Sequence, residues 1–326
     1  MKTNLLRTAF LALGLGSVLL TSTNLVAAGG EWIVPKDSDI PNDSSGESIR
    51  YGKRLIEETS AIIGPEAKDP AMRFSGNNLD CQSCHLVSGK KRYSAPFIDT
   101  SASFPRFEKR QNAQGTLEDR INGCMERSMN GRVFPKDSKE LTSIAAYMNW
   151  LGAGVKKGEK VKGGGFPKFE PPNRTADPEA GKVVYERQCQ HCHGADGGGV
   201  RRTSQYGKGK VYLFPPLWGD DSYNQGAGMN RLLTAAAFIR GNMPFGATYE
   251  SPILTEDEAY DVAAFIDSKP RPDKPGKELD YPKKGAKPVD KSYPPYDDHF
   301  SQMQHKYGPF QPIIEYYDAL KKEAKK

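Results

Sequence analysis

The sequence predicts a mainly α-helical chain built as two tandem small helical bundles, and three observations predict it. A pentapeptide of the form C-x-x-C-H occurs twice, as Cys81-Gln-Ser-Cys84-His85 and Cys189-Gln-His-Cys192-His193. Each copy follows a helix-forming stretch that opens on a glycine, Gly52-Lys53-Arg54-Leu55-Ile56 and Gly181-Lys182-Val183-Val184-Tyr185. Each copy also precedes an amphipathic segment with apolar residues at i, i+3, i+4 and i+7. These are Leu141, Ile144, Ala145 and Met148 in the first half, and Ala259, Val262, Ala263 and Ile266 in the second. One unit, written twice, explains all three.

The elements follow along the chain. Lys2 and Arg7, an apolar run reaching Leu20 and the small residues Val26-Ala27-Ala28 mark 1–28 as a cleaved signal peptide. The run is too short and too interrupted by Gly and Ser for a stable membrane span, so export to the periplasm is expected. Residues 29–47 are polar and are expected to be an extended lead-in. The first unit then covers 48–154, and 155–174, rich in Gly, Lys and Pro, reads as a linker. The second unit covers 175–270. Residues 271–326 form a Pro-, Lys- and Tyr-rich tail, expected to wrap the units, with a short helix near Ile313–Lys322. The glycine in each opening helix allows another helix to cross closely. Thr116-Leu117-Glu118-Asp119 and Leu254-Thr255-Glu256-Asp257-Glu258 are helix starts.

Five cysteines in an exported chain suggest disulfides with one thiol left over. Their spacing argues otherwise. Two thiols three residues apart on one turn can each add to a haem vinyl group, and the adjoining His then faces the iron as proximal ligand. The three remaining histidines cannot easily complete two zinc sites. Cys81, Cys84, His85 and Cys189, Cys192, His193 therefore predict two covalently bound c-type haems, one inside each class I cytochrome c-like domain. The 33 Gly and 24 Pro fit domains with long loops around a large apolar cofactor. Formal net charge is +6, of which Lys2 and Arg7 supply two. About four haem propionates would offset much of the rest, so nucleic-acid binding gains no support.

Each iron needs a partner opposite its His. In the second domain Met243, in Asn242-Met243-Pro244, lies 22 residues before Phe265 on the closing helix. A Met-Pro in a loop aims the thioether free of helical constraint. Met229 competes, with core packing as its other reading, and His299 and His305 are weaker candidates. In the first domain, aligning Ala145-Ala146-Tyr147 with Ala263-Ala264-Phe265 and counting back 22 or 23 residues reaches Met125 or Cys124. Met129 is also in range, and spacing alone leaves the choice open. Helical spacing puts Arg120, Cys124 and Ser128 on one face, with Arg110 upstream. A thiolate flanked by guanidinium groups would sit in an anion-attracting pocket. Equally, these arginines could be surface charges or partners of haem propionates.

The chain resembles the dihaem c-type thiosulfate dehydrogenases, which form tetrathionate, over nearly its whole mature length. The resemblance is carried by both C-x-x-C-H motifs and by Arg120-Ile121-Asn122-Gly123-Cys124-Met125-Glu126-Arg127-Ser128. Phe214-Pro215-Pro216-Leu217-Trp218-Gly219 and Gly241-Asn242-Met243-Pro244 extend it. It implies that Cys124 is both the distal ligand of the first haem and the catalytic thiol. Arg110, Arg120 and Ser128 match positions that bind the substrate oxyanion. Some members carry a Lys just before the Met ligand; here that position is Asn242, which implies steady His193/Met243 ligation. The implied reaction couples two thiosulfates to tetrathionate, possible in either direction, and passes electrons through the second haem to an acceptor cytochrome or other redox protein. Two rivals make different predictions. A plain dihaem electron carrier lacks thiosulfate-dependent reduction, and a sulfur-oxidation cytochrome acting on a carrier-protein thiol depends on that carrier. A dihaem peroxidase ranks last, because nothing obvious specifies its acid/base site.

Overall fold

The computed structural model describes residues 32–202 and 212–324, so the leader expected at 1–28 lies outside the described residues. Among these the fold is helical, with two small antiparallel ribbons. In the first unit the helices are α1 (Ser44–Glu57), α2 (Thr59–Ile63), α3 (Leu86–Gly89), α4 (Leu117–Arg127) and α5 (Lys139–Leu151). The ribbon β1 (Arg106–Glu108) and β2 (Ala113–Gly115) lies between α3 and α4. Asp43 caps α1 by accepting the Gly46 N–H at 3.0 Å. The helix therefore begins inside the stretch expected to be an extended lead-in, and Trp32 and Ile40 from that stretch are buried in the first core. At α4 the Thr116 hydroxyl accepts the Asp119 N–H at 3.2 Å, and the Asp119 carboxylate accepts the Thr116 N–H at 2.9 Å. This reciprocal cap satisfies two donors that a helix start would otherwise leave bare.

The second unit holds α6 (Pro178–Gln188), α7 (Gln190–His193), α8 (Leu232–Asn242) and α9 (Glu256–Ser268). Its ribbon is β3 (Val200–Arg201) with β4 (Tyr212–Phe214). Asp177 caps α6, and Thr255 with Glu258 forms the box that starts α9. In both units the opening helix crosses the closing helix at its glycine. A Cβ on Gly52 would overlap the Ser143 carbonyl oxygen, and one on Gly181 would overlap that of Asp261. The sequence repeat is thus a repeat of one helix crossing.

The tail carries α10 (Gln302–Tyr307) and α11 (Gln311–Glu323). Phe310, Ile313 and Tyr317 enter the second core, while Asp280 pairs with Arg127 of α4 in the first unit at 2.7 Å. Sharing runs the other way too: Tyr223 and Ala227 belong to the second unit by position and pack in the first core. Between the units, buried Asp267 lies 3.5 Å from Arg271, whose guanidinium stacks 4.2 Å over Tyr223. Burial pushes the Asp267 carboxyl up to about 7 against the pull of Arg271, Lys306 and Lys291, with Asp290 adding to the rise. No helix among the described residues is long and apolar enough to cross a membrane.

Two outcomes follow from these contacts. Gly52→Ala or Gly181→Ala forces the crossing helices apart and lowers unfolding free energy by about 1–3 kcal/mol, read as a lower denaturant midpoint by circular dichroism; an unmoved midpoint would contradict the close crossing. For Asp267, folding raises the carboxyl pKa, so the folded state binds the extra proton. Its contribution to stability is fully present below the ordinary carboxylate value and is lost as pH rises through about 7. Unfolding midpoints measured between pH 4 and pH 8 should therefore fall less steeply in Asp267→Asn than in the parent, and parallel curves would contradict the assignment.

Candidate functional site

The first C-x-x-C-H motif is a single turn. Cys81–Ser83 is 3-10 helical, and the His85 N–H reaches the Cys81 carbonyl at 3.0 Å. Thr59 fixes its start, accepting the Cys81 N–H at 3.0 Å while donating to the Leu55 carbonyl at 2.6 Å. His85 Nδ1 lies 2.6 Å from the Ala95 carbonyl oxygen. A carbonyl only accepts, so Nδ1 carries the proton and Nε2 keeps its lone pair. Burial pulls the His85 imidazole down to about 4, which leaves it neutral at pH 7. The second motif repeats the design: His193 N–H bonds the Cys189 carbonyl at 2.9 Å, and His193 Nδ1 lies 2.8 Å from the Pro215 carbonyl. Burial also lowers the His193 pKa. All four motif thiols are free of disulfides. Paired thiols on one turn, with a neutral imidazole whose outer nitrogen is unprotonated, are the donor set that a covalent haem requires.

Helix α4 separates the two sulfur candidates opposite His85. Met125 is 2 % exposed and packs in the first core with Leu117 and Ile121, and Met129 is buried there too. Cys124 lies on the other face, half-buried, with its Sγ 3.1 Å from Arg120 Nη1. Burial pushes the Cys81 and Cys84 thiols up, to about 12 and about 11, and the neighbouring Cys124 sulfur adds to both rises. The Arg120 charge likewise acts on His85. Cys124, Arg120 and the first motif thus share one site. Ser128 caps the end of α4, its N–H bonded to the Cys124 carbonyl.

Arg110 is placed differently. Among the described residues no hydrogen bond or ion pair joins it to Cys124. Its Nε lies 3.4 Å from the Tyr281 hydroxyl and 3.8 Å from Asp280, so the tail holds it. The Asp280 carboxylate also takes Arg127 and, at 2.8 Å, the Tyr293 hydroxyl. The structure therefore brings Arg120 to Cys124 and keeps Arg110 in a neighbouring buried cluster.

The far end of α4 is closed by the other unit. A helix leaves its last carbonyls without partners; here Asn224 Nδ2 donates to Glu126 O at 2.8 Å and the Asn224 N–H to Arg127 O at 3.2 Å. Asn77 Nδ2 donates to Ser128 O at 2.9 Å and to Ser222 O at 3.1 Å. Asn77, Asn224 and Asp280 were not legible as site residues, because no motif or periodicity marks them. In the second unit Met243 ends α8 and packs half-buried against the core that also receives Cys189 and Trp218. The competing ligands are otherwise engaged. Met229 packs against both cores, and both ring nitrogens of His305 are bonded, to Val289 O at 2.7 Å and Asp298 at 3.0 Å. The His299 ring packs on Phe300 and Tyr316.

Comparison with known proteins agrees with this architecture. Residues 73–156 match the SoxA/TsdA cytochrome c domain, and residues 178–270 match the cytochrome c family. The chain is 41% identical over 243 residues to the thiosulfate dehydrogenase of Allochromatium vinosum, covering 73% of this chain and 84% of that one. It is 37% identical over 251 residues to the thiosulfate dehydrogenase of Psychrobacter arcticus, covering 76% and 71%. The solved thiosulfate dehydrogenase (TsdBA) of Marichromatium purpuratum, in its as-isolated form, superposes with a TM-score of 0.68 at 33% identity. That match covers 76% of this chain and 51% of the other, so this chain spans about half of that structure's length. Two cytochrome c domains, each a covalent haem-binding unit, give this chain two c-type haems. With that pairing, and with identity at this level over most of both sequences, the chain belongs to the thiosulfate dehydrogenase family of c-type cytochromes.

Proposed function

We propose that this protein oxidises thiosulfate, joining two molecules into tetrathionate, with Cys124 as the catalytic thiol and the distal ligand of the first haem. The observation that carries the reading is the 3.1 Å contact between Cys124 Sγ and the Arg120 guanidinium, on the face of α4 turned to the first motif. A fixed positive charge favours thiolate over thiol and attracts a dianionic substrate. In the same reading Cys81 and Cys84, and Cys189 and Cys192, attach the two haems. His85 and His193 are the proximal ligands, and Met243 completes the second iron. The free Nε2 lone pairs of both histidines support this assignment.

The chemistry divides into two sulfur–sulfur steps. The Cys124 thiolate and the terminal sulfur of one thiosulfate form an S–S bond, giving a cysteine S-thiosulfonate and releasing two electrons. A second thiosulfate then attacks the outer sulfur of that bond, tetrathionate leaves, and the Cys124 thiolate returns. Haems held by Cys81, Cys84 and His85 and by Cys189, Cys192 and His193 would supply the acceptor for these two electrons, with an external redox protein, a cytochrome by natural class, as their outlet. Each step brings negative charges together, and guanidinium groups aimed at the sulfonate lower that barrier. Arg120 is the primary such group. Ser128, one turn beyond Cys124, and Arg110, anchored by the tail, complete the oxyanion contacts on the strength of the family match. The basic, apolar and small-residue segments of 1–28 support a periplasmic location.

Cys124→Gly is expected to load both haems and to lose about 10³-fold or more in thiosulfate oxidation. Electron paramagnetic resonance of the oxidised variant should lack the low-spin thiolate signal present in the parent. A fully loaded variant with parental turnover would overturn the reading and leave a dihaem electron carrier in its place.

A further inference from the structure

The two candidate iron sites are joined through three residues. Tyr93 and Ala95 both adopt left-handed backbone, with φ of 59° and 49°, a conformation that side chains other than glycine disfavour. Such residues persist only where their surroundings over-determine them, and here every backbone group at 93 and 95 is engaged. The Tyr93 and Ala95 N–H groups donate to the carbonyls of Gly163 and Gly165 in the linker, at 2.7 and 2.8 Å. The Ala95 carbonyl accepts from His85 Nδ1 at 2.6 Å. The Tyr93 carbonyl accepts from Asn242 Nδ2 at 3.1 Å, across the boundary between the units.

Asn242 is the residue before Met243. It is 2 % exposed, its Nδ2 also donates to the Phe238 carbonyl at 3.1 Å, and its buried Oδ1 has no partner. The buried amide thus makes two donor bonds and leaves one acceptor unpaired, at a cost its two bonds must offset. The loop that follows is docked on the same segment: the Tyr249 ring stacks on Tyr93 with centroids 4.0 Å apart, and Lys91 Nζ reaches the Ala247 carbonyl at 3.4 Å.

We propose that Asn242 is a positioning residue that ties the Met243 loop to the Tyr93–Ala95 segment, so that the geometry of Met243 and the orientation of His85 are set by one shared strut. This rests on the reading above that His85 and Met243 are iron ligands. Asn242 touches neither iron. It acts through Met243 on one side and through Tyr93, Ala95 and His85 on the other. A hydrogen bond that aligns a ligating imidazole increases its basicity, and a well-seated Met thioether raises the potential of its iron. Loosening the strut must therefore move the two potentials in opposite directions.

The test is a spectroelectrochemical titration of the Asn242→Ala holoprotein, following each haem separately. The potential of the second haem should fall and that of the first should rise, each by about 59 mV, a tenfold change in a one-electron equilibrium. The near-red methionine-to-iron absorption band should weaken. A purely local packing role would move the second haem alone, and that result, or no shift in either, overturns the proposal. If Asn242→Ala fails to load haem, Asn242→Ser takes its place. A serine hydroxyl can still bond the carbonyl four residues back in the helix but is too short to reach Tyr93, and the same paired shift is expected. Met243→Leu separates the two levels of the argument. If it leaves the second potential unchanged, the ligand assignment itself fails, and the strut falls with it. If it shifts that potential while Asn242→Ala shifts nothing, only the strut is wrong.

Discussion

A carbonyl oxygen has no proton to give, and so the 2.6 Å contact between Ala95 and His85 has one chemical meaning. The inner ring nitrogen is the donor, the outer one is basic, and the imidazole is fixed in plane. His193 and Pro215 repeat the arrangement. Proline offers a carbonyl and no N–H, so that partner has a single available role. Both carbonyls come from loops well downstream of the motifs they serve. Each loop must fold back before its histidine is usable, which ties the chemistry of five residues to the shape of the whole domain.

Much of this was readable from local pattern. The helices α4, α5 and α9 announce themselves through caps and apolar spacing, and the glycines at 52 and 181 through their place in the repeat. The motif cysteines and histidines carry their own spacing rule. Counting back from the closing helix could not choose between Cys124 and Met125, because a one-residue step is below the resolution of such a count. The folded chain places them differently: adjacent residues point about 100° apart, Met125 is buried in the first core, and Cys124 is half-buried beside Arg120. Contacts between distant segments stayed hidden. Nothing near Arg110 signals that the tail's Asp280 carboxylate and Tyr281 hydroxyl, some 170 positions later, will hold it, and nothing near Tyr93 signals left-handed backbone. Both are decided by what the far segment brings, and neither changes local hydrophobic period.

The helix that carries Cys124 illustrates how the two units divide their labour. Its start is self-sufficient, closed by its own Thr116 and Asp119. Its end is not. The last carbonyls are taken by Asn224 from the second unit and by Asn77, which simultaneously grips Ser222. Arg127, in the final turn, forms a buried pair with Asp280 of the tail. Removing one partner of such a pair strands a charge away from water, so the arrangement has little tolerance for drift. The helix that carries Cys124 is held at the end where three different stretches of chain converge on it.

The packing of Tyr223 and Ala227 inside the first core has a consequence for biogenesis. A core completes only when its last contributor has been synthesised, and here that contributor lies beyond the second C-x-x-C-H sequence. The N-terminal half therefore cannot reach its final packing while the remainder is still missing, although its own helices and motif are already made. The first core is thus completed by side chains of the second unit, and the two halves share one final packing.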